Sequence, residues 1–523
     1  MWRFPEIELL SDIPGFWSKK DPRKTALRDG NLEINYKQLD ESSSQIANRI
    51  IESGVNAGSN IGFVGRNGVE FFEAWFGACK AGCTLVPFNW RCSVQELMDL
   101  VDDAQTPLVF AEKEISLPKM LEAKELCQTQ FDLVSFNLFE NREKRFSGWA
   151  DEAKKTSPNI SVCSENIALL VYTSGTTGRP KAVRYDHQAF NYSFLCLSLE
   201  PEMAWGKDDV VLMVMPNFHL GGNWVPLPAL YHGATITILP EFDPEKVMDT
   251  VVNHKCTVLP AVPTALKMLT DHPAVVEKNF SCLKKIYYFG SPVGIEDVKK
   301  TIKTFDCRIN QLYGTTENWF CTLLTHDEHI ADPPEHLTSC GKPLPLIGVK
   351  VCDKNGNELS DDEVGEIYIR TPVMSSVYGG IKKAGHKKQK VAWIGTGDLG
   401  KRNSKGFYFL VDRAKDMIIS GGENIYSVEV ERAMSRHEKI AQVAVIGTPD
   451  KKWGEKVVAF VSIIPGENVS ENELIAHCKK FLAGYKVPKE IHFMESLPTT
   501  STGKIQKNSL RAPYWQNSNR NIS

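Results

Sequence analysis

Among thirteen cysteines there is no Cys-x-x-Cys pair, so the local spacing that a redox or metal pair needs is missing. The closest two, Cys79 and Cys83, lie four apart in an apolar helical pattern and read as buried thiols of a reduced, cytoplasmic protein. An excess of charge of either sign is missing as well. A formal net charge of −3 gives no electrostatic case for nucleic acid. No apolar run approaches the roughly 20 residues of a membrane span, so no integral membrane segment is expected. The opening Met-Trp-Arg-Phe-Pro-Glu has no basic segment followed by an apolar one, and the closing Asn-Ile-Ser is not a peroxisomal address. Internal repeats and low-complexity tracts are absent, while Lys382 to Lys390 reads as a solvated basic surface loop.

What is there is a globular chain. Its 523 residues, 42% hydrophobic and 24% charged, suffice for one large domain and a smaller one. The middle third alternates short apolar runs with helical patterns, the rhythm of parallel strands and crossover helices. Val210 to Met215, Ala234 to Leu239, Lys285 to Phe289 and Arg308 to Leu312 read as strands, with helices from near Asp243-Pro244 and over Ile295 to Phe305. Four polar or glycine-containing loops then follow strands at their carboxyl ends: Thr173 to Lys181, Asn217 to Gly222, Gly290 to Pro292 and Tyr313 to Glu317. Parallel α/β sheets bind ligands on that edge, which predicts one cleft. After Gly400 the spacing shortens, and strands near Gln442 to Ile446, Lys456 to Ile464 and Glu490 to Met494 with a helix over Glu471 to Leu482 predict a compact second domain.

The first loop reads Thr173-Ser174-Gly175-Thr176-Thr177-Gly178-Arg179-Pro180-Lys181. Glycine turns expose backbone N–H groups, and hydroxyls with a lysine add donors and positive charge, a combination suited to phosphate. The spacing is not that of the nucleotidase P-loop, because Gly175 and Gly178 are three apart and Lys181 is displaced. Tyr313-Gly314-Thr315-Thr316-Glu317, Thr396-Gly397-Asp398, Asp412-Arg413, Ser420-Gly421-Gly422-Glu423-Asn424-Ile425 and Pro498 to Lys504 follow in order. Together these stretches resemble the motifs of the adenylate-forming superfamily, which contains acyl-CoA synthetases, firefly luciferase and peptide-synthetase adenylation domains. The resemblance spans Tyr172 to Lys507, and the length suits a stand-alone acyl-CoA synthetase.

That resemblance implies an α/β fold: a large N-terminal domain, 1–411, with parallel-sheet subdomains, a hinge at 412–416 and a small mobile α+β domain, 417–523. It also implies an AMP-forming acid:CoA ligase with two half-reactions. A carboxylate attacks the α-phosphorus of ATP to give acyl-adenylate and pyrophosphate, and the thiol of CoA then displaces AMP. A carboxylate approaching a polyanion needs fixed positive charge where negative charge develops. The resemblance accordingly implies Thr173, Ser174, Gly175, Thr176, Thr177, Gly178 and Lys181 at the β- and γ-phosphates, and Glu317 as the ligand of Mg²⁺. Thr316 is implied at the α-phosphate or the carboxylate, and Tyr313 on the adenine. Gly290, Ser291, Pro292, Gly314 and Thr315 complete the nucleotide site, with Asp398 on the ribose hydroxyls and Arg413 beside it. Lys504 is the implied catalytic lysine, Lys415 the hinge, and Gly421, Gly422, Glu423 and Trp453 the CoA side.

His219 matches the position between acyl pocket and thiol tunnel. Phe218, Asn223, Trp224, Asn318, Trp319 and Phe320, with Gly290 and Ser291, are expected to line that pocket. Their bulk points to a short, compact or cyclic acid over a long fatty chain. The Asp that amino-acid-activating relatives carry soon after the Phe is missing from Asn217-Phe218-His219-Leu220, and the chain ends 19 residues after Lys504 with no carrier domain following. Both argue against an α-amino acid. Ala182 and Ala392 stand where the family usually has Gly, and neither threatens the chemistry. An acyl-AMP ligase that loads a carrier protein, or feeds an oxidation as in luciferase, is the enzyme alternative, and a homodimer is compatible with the family. A non-catalytic nucleotide-binding paralogue is disfavoured by the presence of Lys181, Glu317, Asp398, Arg413 and Lys504.

Overall fold

In the computed structural model the chain forms two compact units, one of residues 1–348 and 370–392, the other of residues 349–369 and 393–523. The structure describes residues 4–138, 146, 148–173, 181–291, 293–331, 336–374, 392–421, 423–499 and 505–515. The expected mixed α/β architecture is present. The sequence reading drew a line at 411/412, whereas here residues 349–369 and 393–411 group with the C-terminal residues.

The first unit holds two sheets. In the nine-stranded sheet, Arg308–Thr315, Lys285–Phe289, Val258–Ala261, Val210–Met213, Thr235–Ile238 and Thr25–Asp29 lie side by side and parallel. Antiparallel strands flank them: Leu32–Asn35 on one side, Trp319–Leu324 and Lys342–Pro343 on the other. The central strands are apolar on both faces because helices cover them. Asp243 caps its helix, Pro244–Asn253, by accepting the Lys246 N–H, and the helix Ile295–Phe305 buries Val298 and Phe305 into the shared core. The six-stranded sheet ends in the antiparallel pair Ile167–Thr173 and Lys181–Asp186. Cys79 and Cys83 are buried and in no disulfide. No helix among the described residues is long and apolar enough to cross a membrane.

The second unit carries a four-stranded antiparallel sheet that includes Ile394–Arg402 and Tyr408–Arg413. It also carries a five-stranded sheet built on Ile440–Asp450 and Gly454–Ile463. Val430, Met434, Val445, Val457, Leu474 and Ile491 fill the core between that sheet and its helices.

Two buried histidines make the first unit sensitive to acid. His187 accepts the Leu10 N–H at Nδ1 (3.0 Å), and burial pushes its imidazole down to about 3. His329 donates from Nδ1 to the Thr325 carbonyl (2.7 Å) and meets the Tyr288 hydroxyl at Nε2 (2.8 Å); burial brings it to about 4. Both are depressed below the unfolded value, so the stability they carry is complete above about pH 6.5 and is lost as pH falls toward those lower values. The expected loss is ~2 kcal/mol from each histidine by pH 5. Melting curves at pH 7 and pH 5 check it: His187→Gln should shrink the acid shift by about half, and an unchanged shift refutes the assignment.

Candidate functional site

Three of the four expected loops leave parallel strands of the nine-stranded sheet at their carboxyl ends. The first is the turn after Val210–Met213. Asn67, projected from the other sheet, accepts the Asn217 N–H at Oδ1 (2.9 Å) and donates to the carbonyls of Met215 and Leu239. Asn217 returns the contact by donating to the carbonyls of Gly65 and Arg66. Asn223 donates to the Asn217 carbonyl (2.9 Å), and a Cβ on Gly222 would lie 2.2 Å from the Pro216 carbonyl oxygen. This bend therefore accepts no side chain at 222. It delivers Phe218 and His219, whose rings are 4.7 Å apart, and His219 opens the short helix Leu220–Asn223.

The second loop begins at Gly290, whose φ of +96° is left-handed and suits glycine. Ser291 follows and is half-buried. The third is the connection between Arg308–Thr315 and Trp319–Leu324. Buried Tyr313 ends the regular pairing, and a register shift falls between Tyr313 and Gly314. Gly314 lies so close to the opposing strand that a Cβ would sit 1.8 Å from the Trp319 carbonyl oxygen. Thr315, Thr316 and Glu317 are half-buried at the turn, which the Asn318 N–H closes on the Thr315 carbonyl (3.1 Å).

The fourth loop departs from the expected single edge, because it spans the antiparallel pair of the other sheet. Thr173 stands opposite Lys181, with its hydroxyl 3.5 Å from the Lys181 carbonyl. Ser174, Gly175, Thr176, Thr177 and Gly178 lie outside the described residues, as do Pro292, Gly422, Lys504 and the basic stretch Lys382 to Lys390. The base of this hairpin is tied down by Tyr172, which donates to Asp103 (2.6 Å). Tyr185 and Phe190 join the two sheets by packing on Trp319, with ring centroids 5.9 and 5.5 Å away. Burial, and after it the charge of Glu317, pushes the Tyr185 phenol well above its ordinary value. Glu317 is thus electrically close to the hairpin strand that begins at Lys181.

Of the residues expected around the acyl group, Phe218, Asn223, Trp224, Asn318, Trp319 and Phe320 are buried, while Ser291 is half-buried and Gly290 exposed. Trp224 contacts Trp319 (5.2 Å) and Phe320 (4.1 Å), and Phe289, which the sequence reading left out, meets Phe320 at 5.3 Å. Trp319 is held at φ +63°, an unusual conformation for a bulky residue and one that clusters at functional positions.

The remaining expected residues belong to the second unit. Asp398 pairs in register with Arg413, their charged atoms 3.7 Å apart. The Thr396 hydroxyl accepts the Asp398 N–H (3.1 Å) and Glu366 accepts the Gly397 N–H (3.0 Å), fixing this turn. Asp412 is buried, accepts from the Ser427 N–H and hydroxyl, and is pushed up by burial against the pull of Lys507. Lys415 is half-buried, and burial pushes its ammonium down against the pull of Asp416. Gly421, at φ +62°, donates to the Trp453 carbonyl (2.7 Å), and a Cβ there would lie 2.9 Å from the indole. The sequence separates Gly421 from half-exposed Trp453; the fold stacks them, with Lys452 4.6 Å over the ring. Glu423 is exposed opposite Ser420.

Asn67, Tyr185 and Phe289 were not singled out from sequence, and Asp412 was read only as part of the Asp-Arg motif and the hinge. Asp412 had a signal in the Asp-Arg pair, and Phe289 had one as the last residue of a predicted strand; Asn67 and Tyr185 act through distant partners and had none.

Residues 16–379 match the AMP-binding enzyme family and residues 429–504 match the AMP-binding enzyme C-terminal domain. The chain belongs to the AMP-binding enzyme family. It is 30% identical to the fatty acid–[acyl-carrier-protein] ligase ScoC of Streptomyces coeruleorubidus over 99% of both chains. It is 31% identical to a feruloyl-CoA synthase of an Amycolatopsis species, covering 97% of this chain and 99% of that one. Among solved structures, ATP-bound MatB of Rhodopseudomonas palustris superposes with a TM-score of 0.85 at 25% identity, covering 96% of this chain and 99% of MatB.

Proposed function

We propose that this protein is an ATP-dependent acid:CoA ligase that forms acyl-adenylate and pyrophosphate, then acyl-CoA and AMP. The observation that carries this reading is the match to both family regions on one chain, with relatives that align end to end and are named as an acyl-carrier-protein ligase and a CoA synthase. In the first step an acid oxygen attacks the α-phosphorus and the bond to pyrophosphate breaks. In the second the CoA sulfur attacks the acyl carbonyl and AMP leaves with the bonding electrons.

The hairpin residues Thr173 to Gly178, with Lys181, hold the β- and γ-phosphates. Tyr313 faces the adenine beside Gly290 to Pro292, Gly314 and Thr315, and Thr316 meets the α-phosphate or the attacking carboxylate. Asp398 receives the ribose hydroxyls with Arg413 next to it, and Lys504 contributes positive charge at the α-phosphate. Mg²⁺ is bound by proteins through one or two carboxylates together with substrate phosphates, and Glu317, half-buried at the turn beside Thr316, fits that donor set; bound there, the ion would neutralise phosphate charge. After adenylation the hinge at 412–416 turns about Lys415, and Gly421, Gly422, Glu423 and Trp453 serve the CoA. His219 stands between acyl pocket and thiol.

The aromatic cluster around Trp319 and Trp224 favours a compact or cyclic acid. Trp319→Gly removes the indole and relieves the positive φ. It should raise kcat/KM for octanoate relative to butyrate by at least ~10-fold, read as pyrophosphate release; an unchanged ratio would remove Trp319 from the pocket.

The similarity to ScoC along the whole chain favours a second reading, transfer to a carrier protein. AMP formation across short, branched, aromatic and medium-chain acids tests the first step. Offering CoA or a holo carrier protein as acceptor then separates the two readings, and no pyrophosphate with any acid rejects both.

A further inference from the structure

The turn Gly65-Arg66-Asn67-Gly68 leaves the strand Asn60–Val64 of the six-stranded sheet and enters the helix Val69–Lys80. Glu112, buried at the end of the neighbouring strand Leu108–Glu112, braces it by accepting the Arg66 backbone N–H at Oε2 (2.9 Å) and the Arg66 Nε–H at Oε1 (2.9 Å). From this braced turn, buried Asn67 crosses to the nine-stranded sheet. Its side-chain bonds end where two neighbouring strands end: at the Asn217 N–H (2.9 Å) and Met215 carbonyl (3.1 Å) after Val210–Met213, and at the Leu239 carbonyl (3.1 Å) after Thr235–Ile238. A side-chain amide offers one accepting oxygen and one donating nitrogen, and Asn67 uses both. Buried main-chain groups left unpaired are costly, so these bonds fix the bend at Pro216 and Asn217.

That bend belongs to the acid side. The Asn217 carbonyl accepts from Asn223 (2.9 Å), and Trp224, next in the chain, packs on Phe320 (4.1 Å) and Trp319 (5.2 Å). Gly221, in the same stretch, is so close to Phe289 that a Cβ would lie 3.0 Å from its ring. The turn expected at the nucleotide is held by other means. Lys285–Phe289 and Val258–Ala261 stand between Arg308–Thr315 and Val210–Met213. The Asn318 N–H closes that turn on the Thr315 carbonyl, and Gly314 presses on Trp319. The hairpin base at Thr173 and Lys181 keeps its tie from Tyr172 to Asp103. Among the described residues, no side-chain bond of Asn67 reaches either place.

We propose that Asn67 is a positioning residue for acid recognition. From the six-stranded sheet it sets where Phe218, His219 and Trp224 stand, and with them the affinity for the acid and the choice among acids, while ATP is bound without it. The proposal rests on the ligase reading and on this bend serving the acid.

The test compares wild type, Asn67→Ala, Asn217→Ala, the double variant and Trp224→Ala by pyrophosphate release. KM is measured separately for ATP and for the best acid of the panel, with the ratio of kcat/KM between the best and the poorest accepted acid as the selectivity. Asn67→Ala should raise the KM for the acid ~10-fold and shrink the selectivity at least ~5-fold, the scale of a small misplacement. The KM for ATP should stay within about threefold of wild type. The double variant should lose no more acid affinity than the worse single one, because both act through one bend. Asn67→Ser, which returns one hydroxyl to the bend, should recover part of the affinity and stands in if Asn67→Ala does not fold. Parallel rises in both KM values, unchanged selectivity, or additive losses in the double variant overturn the role of Asn67. Unchanged acid KM and selectivity in Trp224→Ala overturn the placing of this bend on the acid side, and no pyrophosphate from wild type with any acid overturns the ligase reading itself.

Discussion

Lys504→Ala is expected to slow acyl-adenylate formation by roughly 10²-fold or more and to leave thioester formation from ready-made acyl-adenylate much less affected. The attacking group is a carboxylate and the target carries negative phosphate oxygens, so the transition state gathers more anionic charge than either reactant presents alone. A fixed cation aimed at that charge acts where it develops and requires no reorganisation. In the second step the nucleophile is sulfur and the electrophile a carbonyl, so a cation at the phosphorus has little to stabilise. Measuring the two steps separately decides the matter. Equal losses in both would make the lysine structural, and no loss would end its catalytic assignment.

Gly314→Ala is expected to be among the most damaging single methyl groups in the first unit. The new carbon would lie 1.8 Å from the Trp319 carbonyl oxygen, 2.7 Å from its carbon and 2.9 Å from the Phe320 Cα. All three are backbone atoms, so no side-chain rotation relieves the overlap. The strands Arg308–Thr315 and Trp319–Leu324 must separate, carrying Tyr313, Thr316 and Glu317 out of place. The expected cost is ~3–5 kcal/mol, with pyrophosphate release falling by more than about 10²-fold. Gly356→Ala is the control, since Gly356 also has a positive φ but nothing within 4 Å of a Cβ; it should lose only the ~1 kcal/mol of local backbone strain. If Gly314→Ala melts no lower than Gly356→Ala, the close approach does not constrain the site.

Where chemistry is local, the sequence was legible. The strand Lys285–Phe289 and the helix Ile295–Phe305 have the predicted limits, because an apolar run and a 3.6-residue apolar stripe each define their own element. The Asp243 cap was equally local. Three ligand-edge loops could be placed because strand ends carry glycine and polar residues. What escaped notice depends on partners far along the chain. Asn217 is locked by Asn67 across 150 residues, and nothing in either neighbourhood announces the other. The loop Thr173 to Lys181 was assigned to the same edge as the other loops, yet its strands belong to the second sheet. A strand's own residues say that it is buried; they do not say which sheet receives it. Trp319 read as bulk for a pocket, and its positive φ became visible only with the close strand crossing at Gly314.

That crossing divides the labour of this unit in a way that bears on its ancestry. On the proposed reading, nucleotide handling rests on main-chain shape, a left-handed glycine at 290 and a glycine pressed against a carbonyl at 314, where a side chain strains or breaks the geometry. On the same proposed reading, the acid side is lined instead by the mutually packed rings of Trp224, Trp319, Phe320 and Phe289. Descendants of such a scaffold are free to drift in diet by trading one ring for another, while the inherited machinery for activating the acid stays as it was.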